Sequence, residues 1–217
     1  MSKLSPNHLQ AAIAELLQYA LVEKPRHFVE KVDIQIALKG YDTAKDKRFA
    51  GHIVLPHVIR PHMSICYICD LETEAAAKRL GVATQTMDEL RKLDRNRGKV
   101  KRFGKSFDAF LASDSVIRTI PRILGPGLAR LQKFPTVVSK GEDVLAKCDE
   151  LKRKVKFQLK RHPHLACSVA NVAMTPEQIL ANATMAINFL ISLCKKGWHN
   201  IQALYIKSTM GPAIRLM

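Results

Sequence analysis

Residues 32–39 read VDIQIALK, a stretch in which apolar and polar side chains alternate from one position to the next. This period of two is typical of a β-strand with one face in a hydrophobic core and the other face towards solvent. The same alternation returns far along the chain, at residues 155–160 (VKFQLK). The two ends of the chain are therefore predicted to build one α+β domain together.

Further helix and strand signals lie in the same terminal segments. Ser5 and Pro6 combine a capping residue with a proline at the first helical position, and apolar side chains at helical spacing then predict a helix over residues 6–23. Thr175 and Gln178 have the spacing of a capping box, which predicts the start of a second helix. Additional strands are predicted at residues 51–55, 165–173 and 201–206.

The middle of the chain has a different pattern. Residues 65–69 (ICYIC) form a continuous apolar run, which is typical of a strand that is buried on both faces in a parallel sheet. A helical stretch over residues 72–80 follows, and Gly81 closes it. Short apolar runs at residues 108–113 and 136–138 predict further buried strands. We therefore predict an α+β fold interrupted by an inserted open α/β sheet.

The overall charge indicates a polyanionic partner. Lys and Arg number 35 against 19 Asp and Glu, which gives a formal net charge of +16 and an isoelectric point near 9.9. Nucleic acid, an acidic membrane surface and an acidic protein all remain open on this ground. The longest apolar stretch, residues 185–194, is too short to span a membrane, and residues 1–7 lack a secretory signal pattern. We expect an intracellular protein.

The positive charge is concentrated in the two terminal segments. Residues 1–62 contain 9 basic and 6 acidic side chains, and residues 151–217 contain 10 and 1, so these segments hold +12 of the net +16. Solubility alone does not require such an imbalance, because mixed charges serve it. The imbalance predicts that the composite terminal domain binds phosphate groups. Residues 91–105 carry eight basic side chains against Asp94, and we favour a solvated helix and loop there over a second RNA contact.

Three motifs invite a chemical interpretation that the rest of the sequence does not support. Cys66 and Cys69 form a C-x-x-C without a second pair at zinc spacing, so we interpret them as small apolar residues of a buried strand. Residues 162–164 (HPH) lack a third metal ligand, and we predict no metal site. Residues 122–127 (RILGPG) lack the order of a phosphate loop, and Pro126 has no amide to donate, so we predict a structural turn.

Four segments together resemble one known family. They are residues 28–51 (FVEKVDIQIALKGYDTAKDKRFAG), 107–128 (FDAFLASDSVIRTIPRILGPGL), 155–159 (VKFQL) and 203–212 (ALYIKSTMGP). In this order they are similar to the large-subunit ribosomal protein L-one family, in its eukaryotic and archaeal branch, called L-ten-a in eukaryotes. The RILGPGL and STMGP segments are specific to that family, and the matches span nearly the whole chain.

The resemblance implies both a fold and a role. The fold is a discontinuous rRNA-binding α+β domain at residues 1–62 and 151–217, with a Rossmann-like three-layer insert at residues 63–150. The role is a structural constituent of the large subunit in the cytoplasmic ribosome, which binds side-stalk rRNA and helps to move and release deacylated tRNA at the exit site. The implied partners are this rRNA and, transiently, exit-site tRNA, without a membrane, a small-molecule substrate or a cofactor.

The resemblance also implies RNA-binding residues in two patches. In the family, an aromatic residue with its neighbours before the first strand and a threonine-methionine-glycine turn near the C-terminus contact RNA. Together with the basic side chains around residues 154–161, the predicted rRNA-binding residues are Phe28, Glu30, Lys31, Lys154, Lys156, Lys160, Arg161, Lys207, Ser208, Thr209, Met210 and Gly211. An aromatic ring can lie on a base or sugar, hydroxyl groups can pair with phosphate or 2′-hydroxyl oxygens, and a glycine permits close approach of the RNA backbone.

An enzyme and a free regulator are the two alternatives to a ribosomal role. An enzyme that acts on RNA should show a poised nucleophile, a carboxylate pair or a phosphate loop, and the sequence contains none of these patterns, so we predict no enzyme activity. A free RNA-binding regulator of translation stays open as the alternative, because the same surface could bind a message that mimics the rRNA site.

Overall fold

The computed structural model describes residues 4–42, 45–46, 48–70, 77–139 and 141–217. Residue contacts group the chain into a terminal unit, Met1–Arg60 with Arg153–Met217, and a middle unit, Pro61–Lys152. In chain order the described elements are α1 (Pro6–Gln18), a π-helical turn (Tyr19–Glu23), β1 (Lys31–Leu38), β2 (Ala50–Val54), β3 (Ile65–Cys69), β4 (Ala83–Thr86), α2 (Met87–Arg91), α3 (Arg97–Ser106), β5 (Ala109–Ser113), α4 (Asp114–Ile117), α5 (Ile120–Leu124), α6 (Gly127–Arg130), β6 (Thr136–Val138), α7 (Val144–Arg153), β7 (Lys154–Gln158), β8 (His164–Asn171), α8 (Pro176–Leu193), a 3-10 turn (Gly197–Asn200), β9 (Ile201–Ser208) and β10 (Ala213–Arg215).

The terminal unit is built on an antiparallel sheet to which both ends of the chain contribute. Its four strands stand in the order β10-β9-β1-β8, and β2 pairs with β7 in a separate antiparallel ladder. The apolar positions of β1 are buried in alternation, as their period predicted, and they join one core with α1 and α8. The sheet therefore brings the start of β1 next to the end of β9.

The helix predictions in the terminal unit are confirmed, with one change in form. Thr175 and Gln178 make both hydrogen bonds of the predicted capping box at the start of α8. The first helix begins at Pro6 as expected, but it ends as an α-helix at Gln18 and continues as a π-helical turn to Glu23. This turn carries the chain towards the residues before β1.

The middle unit contains a parallel sheet in the order β4-β3-β5-β6. All five residues of β3 are buried, as the continuous apolar run predicted. The predicted helix over residues 72–80 lies mainly outside the described residues, although Gly81 has the positive φ of +72° expected of a closing glycine. The antiparallel and parallel sheets together confirm the predicted fold class, an α+β fold with an α/β portion.

The cysteines in the structure are all free and buried. Cys66 and Cys69 lie in β3, and burial raises the pKa of the Cys66 thiol to about 12, so its reactive thiolate form is suppressed. Within the described residues, no cluster of three or more His, Cys, Asp or Glu side chains could hold a metal ion. In the same part of the chain, no helix has the length and apolar character that crossing a membrane requires.

Candidate nucleic-acid interface

The residues before β1 and those after β9 form one continuous surface. Val32 pairs with Ser208 across the antiparallel ladder, so the chain entering β1 lies beside the chain leaving β9. The amide of Lys31 donates to Thr209 Oγ1 at 2.9 Å, and Thr209 Oγ1 lies 3.3 Å from the carbonyl oxygen of Lys31, to which it donates. The two patches that the family resemblance implies are therefore adjacent, and we call residues 28–31 with 208–211 the strand-end surface.

Two buried side chains hold the turn at the end of β9 in place. The amide of Gly211 donates to Ser208 Oγ at 3.0 Å, and the amide of Met210 donates to Glu30 Oε2 at 3.1 Å. Ser208 is 1% exposed and Glu30 is 3% exposed. Both side chains thus satisfy backbone amides from beneath the turn, whose outward side is left to Thr209 and Met210.

Glu30 is itself held by an arginine one short segment earlier. Arg26 Nε lies 3.1 Å from Glu30 Oε1, a distance that suits an ion pair, although the two groups are not aligned as a hydrogen bond. The carbonyl oxygen of Glu30 accepts the amide of Val172 at 3.0 Å, which ties this residue to the end of β8. Since a buried carboxylate is stable only with partners, Arg26 is part of what keeps the turn in shape.

Apolar side chains are unusually exposed around the turn. Phe28 is 53% exposed, Val29 is 56% exposed and Met210 is 56% exposed. Phe28 and Val29 also line a shallow cleft of about 410 Å³, together with Arg26 and His27. Large apolar side chains next to cations at a surface suit a ligand that offers both flat rings and negative charge.

The basic side chains of β7 lie outside the core, as the alternation predicted. Val155 and Phe157 are buried in the terminal core, whereas Lys156 is exposed and Lys154 is half-buried. Lys207 is half-buried within β9, where its neighbour across the ladder is Asp33. Lys154 and Lys156 therefore place positive charge on the separate ladder of β2 and β7, whereas Lys207 directly precedes the strand-end surface.

The structure does not bring Lys160 and Arg161 to the strand-end surface. The amide of Leu38 donates to the carbonyl oxygen of Pro163 at 2.8 Å, so the segment after β7 lies at the far end of β1. The rise per residue of a β-strand places that end roughly 20 Å from Lys31. Lys160 and Arg161 instead border a second cleft, of about 470 Å³, with Arg48.

Arg26 and Tyr19 are parts of this site that the sequence patterns did not indicate. Arg26 precedes Glu30 by four residues, but outside a regular helix this spacing gave no signal of an ion pair. Tyr19 lies so close to Gly211 that a β-carbon there would be 3.3 Å from Tyr19 Cδ1. This contact joins the π-helical turn to the end of β9, a pairing that only the folded chain reveals.

Comparison with known proteins gives a consistent result over the whole chain. The sequence profile described as "Ribosomal protein L1p/L10e family" matches residues 16–212. A protein of Neurospora crassa named large ribosomal subunit protein uL1 is 46% identical over 216 residues, and a protein of Arabidopsis thaliana named large ribosomal subunit protein uL1y is 47% identical over 216 residues. The uL1 protein of Caenorhabditis elegans is 46% identical, and in each case the match covers 100% of both chains.

Proposed function

The chain belongs to the ribosomal protein L1p/L10e family, and from this premise we propose that it binds rRNA of the large subunit through the strand-end surface. Membership makes the chain a structural constituent of the large ribosomal subunit, in the cytoplasmic ribosome, rather than an enzyme. The finer assignments, which concern side-stalk rRNA and the release of deacylated tRNA at the exit site, are our proposal.

The observation that carries the proposal is the joining of two distant segments at one exposed surface. Residues 28–31 and 208–211 are linked by hydrogen bonds from Lys31 to Thr209 and from Met210 to Glu30. The surface presents the aromatic ring of Phe28, the ammonium group of Lys31 and the hydroxyl oxygen of the exposed Thr209 on a fixed turn. Such a combination suits RNA, whose unstacked bases, 2′-hydroxyl groups and phosphates each find a partner there.

Within this surface, we assign two different kinds of task. Phe28, Lys31, Thr209 and Met210 are exposed and can contact RNA directly. Glu30 and Ser208 are buried, so they act by holding the turn in the conformation that binds RNA. Gly211 allows the turn to pass close to Ser208 and Tyr19, where a β-carbon would collide with Ser208 Oγ.

The basic side chains of the terminal unit supply the part of the RNA affinity that does not depend on the RNA sequence. Lys154 and Lys156 lie on β7, Lys207 lies on β9 directly before the strand-end surface, and Lys160 and Arg161 follow β7 at the far end of β1. Each lysine that neutralises a phosphate releases counterions, so its contribution weakens as salt is raised. We propose that these residues lengthen the contact along an rRNA helix, whereas the strand-end surface selects the site.

The experiment that tests this function is a binding titration at several salt concentrations, with a side-stalk rRNA fragment and a length-matched generic duplex. We expect the chain to prefer the stalk fragment at every salt concentration. Lys156→Gln should weaken binding to both RNAs and reduce the slope of log affinity against log salt by about 1. Lys99→Gln, which removes the same charge from the middle unit, is the matched control and should leave the slope unchanged.

Equal affinity for both RNAs, with the same steep salt dependence, would leave only a basic protein without a specific rRNA site. If a messenger RNA segment binds more tightly than the stalk fragment, the alternative function, a free RNA-binding regulator of translation, is favoured instead. Both outcomes contradict the proposal.

A further inference from the structure

The middle unit has a cleft of about 570 Å³ beside the start of α3 and the turn between α5 and α6. This volume is within the range of roughly 300–1,000 Å³ that is usual for small-molecule sites. The cleft involves no residue of the strand-end surface, but it includes part of the basic run at residues 91–105, for which the charge pattern alone favours a solvated helix and loop. Its lining combines apolar side chains with Arg95, Arg97, Lys101 and Arg130, and it includes no acidic residue.

The apolar floor of the cleft follows from close packing between α3 and α6. A β-carbon at Gly127 would collide with Val100 Cγ1, so the glycine lets the two helices approach. Gly125 ends α5 with a φ of +65°, a backbone conformation that side chains disfavour. Val100 and Leu124 are buried at the base of the cleft, and Leu131 is half-buried beside them.

The cations at the rim have no acidic partners within the part of the chain that the structure describes. Arg95, Arg97, Lys101 and Arg130 are all exposed, and none of them takes part in an ion pair there. Arg95 is also fixed in place, because its Nε donates to the carbonyl oxygen of Arg122 at 2.8 Å. Its terminal guanidinium nitrogens are therefore oriented before any ligand arrives.

The backbone at Arg95 supports a functional interpretation of this arrangement. Its φ is +52°, in the left-handed region that residues other than glycine rarely adopt. Strained conformations of this kind are concentrated at binding and switch sites, where the surrounding structure maintains them. Arg95 thus combines this backbone conformation with a position in the lining of the cleft.

We propose that this cleft binds one unpaired RNA nucleotide, with its base on the apolar floor and its phosphate against the guanidinium groups. Guanidinium groups pair with phosphate through two parallel hydrogen bonds and also stack on base rings. A base within a duplex cannot enter, since it is stacked and paired, whereas a base in a loop or a single strand can. A simple phosphate ion would leave the apolar floor unused, so the nucleotide is the better match.

This inference does not depend on the strand-end surface, and its test separates the two sites. The full chain is irradiated with a single-stranded RNA oligonucleotide that carries 4-thiouridine, and the crosslinked peptides are identified by mass spectrometry. We expect crosslinks in residues 121–131 with the single strand, and a loss of these crosslinks when the same sequence is held in a duplex. Crosslinks in the terminal unit report on the other site and do not affect this result.

Two triple variants of equal net charge separate the effect of the cleft residues from the effect of charge alone. The first variant combines Arg95→Gln, Arg97→Gln and Lys101→Gln, and it removes cations that line the cleft. The second variant combines Lys99→Gln, Arg102→Gln and Lys105→Gln, and it removes exposed cations of α3 that do not line the cleft. We expect the first variant to lower the yield of crosslinks in residues 121–131 by roughly tenfold, because it removes charged hydrogen-bond donors to the phosphate. The second variant should change this yield by less than about threefold.

Three outcomes would overturn the proposal. Equal losses in both variants would reduce the site to a positively charged surface. Crosslinks that persist in the duplex would exclude recognition of an unpaired base. Displacement of the oligonucleotide from residues 121–131 by polyglutamate, but not by unlabelled single-stranded RNA, would assign the cleft to an acidic protein.

Discussion

Replacing Gly211 with alanine is expected to lower the affinity for the stalk rRNA fragment by a factor of about 10 to 100. A β-carbon at this position would collide with Ser208 Oγ and would lie 3.3 Å from Tyr19 Cδ1. Ser208 Oγ cannot move away freely, because it is buried and accepts the amide of Gly211 at 3.0 Å. The turn must therefore shift, and the groups that it presents to RNA shift with it.

The steric cause of this loss is tested with a second substitution in the same turn. Ser208→Ala removes the oxygen that the new β-carbon would meet most closely and leaves the contact of 3.3 Å with Tyr19 Cδ1. Gly211→Ala should therefore cost less rRNA affinity when it is added to Ser208→Ala than when it is made in the wild type. The affinities are measured at a fixed salt concentration for the wild type, both single variants and the double variant. Losses that simply add would show that Gly211 acts through something other than the contact with Ser208.

Replacing Glu30 with alanine is expected to lower the free energy of unfolding of the terminal unit by about 2–3 kcal/mol. The substitution removes the acceptor of the Met210 amide and leaves Arg26 without its carboxylate partner. We place the effect below that of a fully buried pair because the Arg26 side chain is 27% exposed. The rRNA affinity should fall as well, since the turn loses its support from below.

Chemical denaturation followed by tryptophan fluorescence measures the free energy of unfolding of the terminal unit. Trp198 is the one tryptophan of the chain, and it packs against the core of the terminal unit. Glu30→Gln keeps a side-chain oxygen for the Met210 amide and should lie between the wild type and Glu30→Ala. Glu15→Ala is the control, because Glu15 is exposed on α1, and it should change stability by no more than about 0.5 kcal/mol. A Glu30→Ala variant as stable and as tight-binding as this control would contradict the role assigned to Glu30.

The elements with a strong local pattern could be predicted from the sequence. Alternation at residues 32–39 gave β1, and the continuous apolar run at residues 65–69 gave a strand that is buried throughout. The capping box at Thr175 gave the start of α8 because its two hydrogen bonds are local. In these cases the residues that determine the element lie within the element itself.

The elements that depend on their neighbours could not be predicted in this way. β4 reads ATQT and carries no apolar pattern, so only its parallel pairing with β3 makes it a strand. β10 contains three residues, and its register against β9 defines it. The π-helical turn after α1 likewise differs from the continuous helix that the spacing of apolar residues predicted.

The candidate site was predictable as a set of residues but not as an arrangement. The family resemblance pointed to Phe28 and to the turn at residues 208–211, which the ladder between β1 and β9 then brings together. Nothing in the sequence distinguished the buried Glu30 from its exposed neighbours. Nor did the sequence reveal that Lys160 is at the opposite end of the sheet, because that depends on the register of β7 and β8 in three dimensions.

We propose above all that this chain binds rRNA through the strand-end surface. The most direct measurement is an experimental structure of the full chain bound to a side-stalk rRNA fragment. We predict that the ring of Phe28 lies within about 4 Å of a base or ribose and that Thr209 Oγ1 lies within hydrogen-bond distance of the RNA. A complex in which residues 28–31 and 208–211 remain exposed to solvent while RNA is bound elsewhere would contradict the claim.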